Sequence, residues 1–133
     1  MSVQIPESAT DLLESPLVCT VTTVMPNGQP QVTAVWFDFD GANIRINTAE
    51  GRQKARNLKL NSKVTVFILD PQNAYHFVEW RGHVAEIKSE EEGGRDHINA
   101  LSLRYRGTPV YKGQVENERR IMYVIDPDKI RAQ

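Results

Sequence analysis

With one cysteine, Cys19, the 133-residue chain has no partner for an internal disulfide. Cys19 lies in an apolar, β-branched run, which marks it as a packed core thiol with no chemistry of its own. The sequence lacks any continuous apolar stretch approaching the roughly 18 residues of a membrane span. Met1 to Ser15 lacks the basic lead and apolar segment of a signal peptide, so a cytoplasmic protein is expected. Excess charge is missing too. Sixteen basic and 17 acidic residues leave a formal net charge of -1, which removes the usual reason to expect nucleic acid or an anionic membrane as partner. Histidines are few, and His76 and His83 stand an odd number of residues apart on one strand-like run, pointing to opposite faces. His97 falls in a helical stretch, so no metal is expected. No serine, histidine and acid arrangement stands at a recognisable motif, and nucleophilic hydrolysis is unsupported.

What is present is enough for a single domain with one core, 40% of the residues being apolar. Ser8 to Glu14 reads as a short helix capped by Ser8, with Leu12 and Leu13 inward. Leu17 to Val24 and Gln31 to Phe39 are β-rich and separated by a turn containing Asn27-Gly28, a hairpin signal. Asp40-Gly41 makes the next turn, and Ile44, Ile46 and Thr48 alternate with polar residues in a third strand. Gly51 to Leu60 changes to a helical period. Lys63 to Leu69 and Tyr75 to Ile87 return to strand, with Gly82 as a bend or bulge. Glu90 to Tyr105 is helical and divided at Gly93-Gly94; Thr108 to Asn117 reads as loop. Ile121 to Ile125 is the last strand, ended by Pro127. Six strands without regular βαβ alternation favour a closed antiparallel barrel, with an open α+β sandwich as the alternative.

The chemically informative segment begins where the third strand ends. From Gly51 through Leu69 there are five basic residues and no acidic one. A glycine opening a helix after a strand frees backbone N–H groups for an anion, and Arg52 and Lys54 could supply a fork and a point charge. Residues two apart on an ideal helix diverge by about 200°, so this pair converges only if the segment begins as a turn. The competing reading is a solvated basic helix face.

The segment Asn47-Thr48-Ala49-Glu50-Gly51-Arg52-Gln53-Lys54-Ala55-Arg56-Asn57-Leu58, with Pro26 to Val32, Val35 to Asp38, Arg81-Gly82 and Arg119-Arg120-Ile121, resembles the pyridoxamine 5'-phosphate oxidase-like split-barrel superfamily. Within it, the similarity is to the deazaflavin (coenzyme F420)-dependent reductases. The resemblance implies a mainly β, six-stranded antiparallel split barrel that forms a homodimer, with a cofactor site at each subunit interface. It implies coenzyme F420, or FMN as the alternative, and hydride transfer to a small-molecule acceptor. A carrier protein without turnover is a third reading.

Carried over by the same resemblance, Arg52 and Lys54 hold the cofactor phosphate, Asn47 and Thr48 border the pocket, and Gln31 and Thr33 pass the ring system. Asn57 either binds the cofactor or caps the turn. Trp80 and Arg120 are further contacts, from the same or the second subunit. Trp36 is read as core, with a stack on the cofactor as the alternative. Hydride transfer asks little of side chains beyond orientation, so the missing acid and base pair is no objection.

Overall fold

The computed structural model describes residues 3–113 and 117–133. Its strands are β1 (Cys19–Val24), β2 (Pro30–Val35), β3 (Phe37–Phe39), β4 (Ile44–Ala49), β5 (Lys63–Asp70), β6 (Asn73–Lys88) and β7 (Arg120–Ala132). The α-helices among the described residues are α1 (Thr10–Glu14), ahead of β1, α2 (Gln53–Asn57), between β4 and β5, and α3 (Arg95–Arg106), between β6 and β7. The β-branched runs bury alternate residues; Cys19, Val21 and Thr23 of β1 face the core while Thr20 and Thr22 do not.

All pairings are antiparallel, and the sheet order is β2-β1-β5-β6-β7-β4-β3. The two edges, β2 and β3, are therefore consecutive in the chain, separated by Trp36 alone. This junction forces the sheet to curl into the split barrel, because β2 pairs with β1 while β3 pairs with β4. It also corrects the expected strand count to seven in place of six. The run expected from Gln31 to Phe39 is two strands, since side-chain alternation carries no record of a change of pairing partner.

Other boundaries move for local reasons. Ser8 caps nothing: it lies inside a tight turn, Glu7–Ala9, that runs into α1, yet Leu12 and Leu13 are buried as expected. Pro127 does not end the last strand, because it stands opposite Gly82 where the β6–β7 register shifts. A missing N–H costs little at such a bulge. Gly82 is required there: a Cβ would meet the Asp126 carbonyl oxygen at 2.2 Å. The double glycine does divide the helical stretch, with Gly93 at φ 139° inside a wide turn, Glu90–Gly94, that leads into α3. Of the expected Thr108 to Asn117 loop, residues 114–116 lie outside the described residues.

The barrel interior is filled by Trp80, Tyr123, Phe37 and aliphatic neighbours. Trp80 is fully buried, donates its indole N–H to the Ile125 carbonyl at 3.1 Å and meets Phe39 edge-on. This corrects its expected place in a cofactor site: an apolar ring with its one donor satisfied belongs to the core. Burial pushes the Cys19 thiol up to about 12, which keeps it protonated and inert. Among the described residues no helix is long and apolar enough to cross a membrane, and no group of three or more His, Cys, Asp or Glu is placed to hold a metal ion.

Candidate functional site

The turn after β4 sets the site. Gly51 takes φ 93°, Arg52 is extended (φ -74°, ψ 154°), and α2 begins only at Gln53. Arg52 thus precedes the helix instead of sharing its screw, so Arg52 and Lys54 line one pocket. Arg120 reaches the same pocket from the start of β7. Its backbone is fixed by Gly94, where a Cβ would meet the Arg120 carbonyl oxygen at 2.1 Å. The pocket holds about 390 Å³, opens to solvent on one side, and is completed by Asn47, Val18, Trp36, Tyr111 and the α3 residues Ile98 and Leu101.

Arg52 and Arg120 share one counterion. Glu118 accepts from Arg52 Nη2 at 3.2 Å and from Arg120 Nη1. Burial works against the Glu118 charge, but the Arg120 hydrogen bond and the two guanidinium charges outweigh it and lower its pKa. Lys54 has no such partner among the described residues. It is 6% exposed, and its ammonium donates to the Thr33 hydroxyl at 3.0 Å. Burial, and then the Arg52 and Arg120 charges, lower its pKa to about 8.

A buried polar chain holds the pocket wall in place. Arg120 Nε donates to Asn47 Oδ1 at 2.8 Å, and Asn47 Nδ2 donates to the Gly94 carbonyl at 3.0 Å and to His97 Nδ1 at 3.1 Å. A bare Nδ1 leaves the His97 proton on Nε2, which donates to Asp38 Oδ1 at 3.1 Å. Arg45 completes the chain with two bonds to Asp38, at 2.8 and 2.7 Å. Burial raises the Asp38 pKa, yet the His97 and Arg45 hydrogen bonds overcome it and hold the carboxyl down to about 2.

The other end of the pocket is aromatic. Trp36 stacks on Tyr105 at 5.1 Å, meets Tyr111 edge-on at 6.1 Å, and carries the Arg106 guanidinium 4.9 Å from its ring centroid. Trp36, expected in the core, is thus a half-buried pocket wall: as the single residue between β2 and β3 it stands where the sheet turns outward. Among the pocket-lining residues described there is no carboxylate, imidazole, hydroxyl of serine or thiol. The arrangement can bind and orient a flat anionic ligand.

Of the residues expected in the site, Asn47, Arg52, Lys54 and Arg120 come together in this pocket, with Thr33 behind Lys54. Thr48 turns to the core, where its hydroxyl is buried without a partner among the described residues. Gln31 accepts from the Thr23 hydroxyl, which ties β2 to β1, and Asn57 donates to Thr23 and accepts from Gln53, which braces α2 against β1. Arg120 belongs to the same chain's pocket. Tyr111, Arg106 and Glu118 were missed. Glu118 had a signal, the acidic residue immediately before Arg119-Arg120; Tyr111 and Arg106, at a loop and a helix end, had none.

The sequence pattern of the Pyridoxamine 5'-phosphate oxidase family matches residues 5–133. The chain belongs to that family. The family points to a flavin-type oxidoreductase. A solved F420 reductase is 35% identical, covering 97% of this chain and 100% of that one, with a TM-score of 0.84. A conserved hypothetical protein from Mycobacterium tuberculosis is 24% identical, over 98% of this chain and 86% of that one, at TM-score 0.74. The FAD and heme binding protein from Mycobacterium smegmatis is 18% identical, over 96% and 70%, at TM-score 0.67. These last two share the fold. The comparison with curated proteins gives no match.

Proposed function

We propose that this family member is a reductase that holds coenzyme F420 by its phosphate and passes hydride to a small-molecule acceptor. The observation that carries the reading is Lys54, a buried cation without a carboxylate among the described residues. Buried charges are ordinarily paired, so an ammonium left with one neutral acceptor fits an incoming oxyanion. The 35% identity to a solved F420 reductase supports the choice of cofactor.

In this reading Lys54, Arg52 and Arg120 hold the phosphate, and Asn47 fixes the Arg120 fork. The aromatic wall around Trp36 and Tyr111, with Ile98 and Leu101, offers an apolar surface to the ring and keeps water from one of its faces. When bound, the deazaflavin supplies the two-electron, hydride-transferring centre; the chain itself supplies orientation and a dry wall. The open side of the pocket is closed by a second copy of the chain in a homodimer that works in the cytoplasm.

Titration with F420 and FMN, followed by fluorescence, tests the reading. F420 is expected to bind the tighter of the two. Absence of binding by both at concentrations well above micromolar contradicts it, and a monomer with full cofactor affinity contradicts the dimer.

A further inference from the structure

Glu118 lies beside the pocket and engages two of its cations. It bridges Arg52 and Arg120, two of the pocket guanidiniums, and its side chain is only 10% exposed. Nothing in the placement of Arg120 requires this carboxylate. Its Nε is already held by Asn47, its carbonyl packs on Gly94, and its guanidinium lies 5.2 Å from the centre of the Tyr111 ring. What Glu118 changes is charge: Arg52, Lys54 and Arg120 converge at this end of the pocket, and one of their three charges is cancelled from within.

Cancelling a charge matters unequally to different phosphates. A phosphodiester carries one negative charge, while a phosphomonoester carries nearly two above its second pKa of about 6. Each unit of ligand charge meets the same repulsion from a fixed carboxylate, so the penalty for a dianion is about twice that for a monoanion.

We infer that Glu118 is a specificity-determining residue that turns the pocket toward phosphodiester cofactors, such as F420, and away from phosphomonoesters, such as FMN. The inference rests on the phosphate reading of the pocket. Because its guanidinium partners lower its pKa, Glu118 stays ionised at pH 5.5, where a monoester loses its second charge.

The test compares dissociation constants for F420 and FMN in the wild type, Glu118→Gln and Glu91→Gln, at pH 7.5 and 5.5. Glutamine keeps an acceptor oxygen for the guanidiniums. Glu91 pairs with Arg119 outside the pocket and controls for net charge. At pH 7.5 Glu118→Gln is expected to tighten F420 about threefold and FMN by about the square of that factor, about tenfold. At pH 5.5 the two gains converge, and Glu91→Gln changes neither ligand by more than about twofold. Equal gains for both cofactors at pH 7.5, or a difference independent of pH, overturn the inference.

The same comparison with dimethyl phosphate and methyl phosphate, followed by NMR of the Arg120 Nε–H, needs no flavin. If neither cofactor binds the wild type, the proposed function fails, and this arm still decides the role of Glu118. Equal responses to the two esters overturn it; a larger gain for methyl phosphate at pH 7.5 supports it.

Discussion

Asp38 and Lys54 are charged groups within one side of the molecule, and their surroundings are opposite. Asp38 accepts three charge-assisted or imidazole hydrogen bonds and is held at a pKa of about 2. Lys54 makes one bond to a neutral hydroxyl and is pushed down to about 8. The first environment favours the charge and the second opposes it. A satisfied charge contributes to stability, whereas an unsatisfied one costs stability and is kept ready for a ligand. The contrast separates the part of the polar network that builds the wall from the part proposed to bind the phosphate.

The largest expected effect breaks the satisfied end. Asp38→Ala strands the His97 N–H and the Arg45 fork, and is expected to cost about 3 kcal/mol of folding stability in a denaturant titration. An unchanged midpoint would mean that the wall does not depend on this carboxylate. Lys54→Ala sharpens the contrast. It should weaken F420 binding by about 1.5–3 kcal/mol, ten to a hundredfold, without lowering the melting temperature.

The signs of the two pH dependences also oppose each other. Asp38 has a folded pKa below its unfolded 3.8, so its contribution of about 2 kcal/mol is complete above pH 4 and is lost as the pH falls toward about 2. Asp38→Asn should flatten acid unfolding over that window. Between about 8 and 10.5 the folded state binds less proton at Lys54 than the unfolded state, so this group makes stability rise with pH there. Cofactor binding should fall across the same range as the ammonium deprotonates. The smallest effect is the control: Lys59 is exposed, and Lys59→Ala should change binding and stability by less than about 0.5 kcal/mol.

Much of this was legible in the sequence. Alternation found the strands because burial on one face has a period of two, and Gly82 and Gly93-Gly94 marked real breaks. The basic stretch after Gly51 located the pocket, and the turn at Gly51-Arg52 supplied the convergence that an ideal helix would deny. What stayed hidden depends on partners distant in sequence. Trp36 could not be told from core, because its exposure comes from β2 and β3 pairing at opposite sheet edges. Trp80 looked like a site residue until its N–H was found on Ile125, 45 positions away. Asn47 and His97 are 50 residues apart, and no spacing rule joins them.

Direct titration of Lys54, by NMR of its side-chain ammonium or Cε resonances with and without F420, bears most closely on the central claim. In the free protein the account predicts a pKa of about 8. With F420 bound, the phosphate should return it to the ordinary lysine range, near 10.4 or above. A free value already near 10.4, or a value near 8 that does not move when the cofactor binds, would contradict the account.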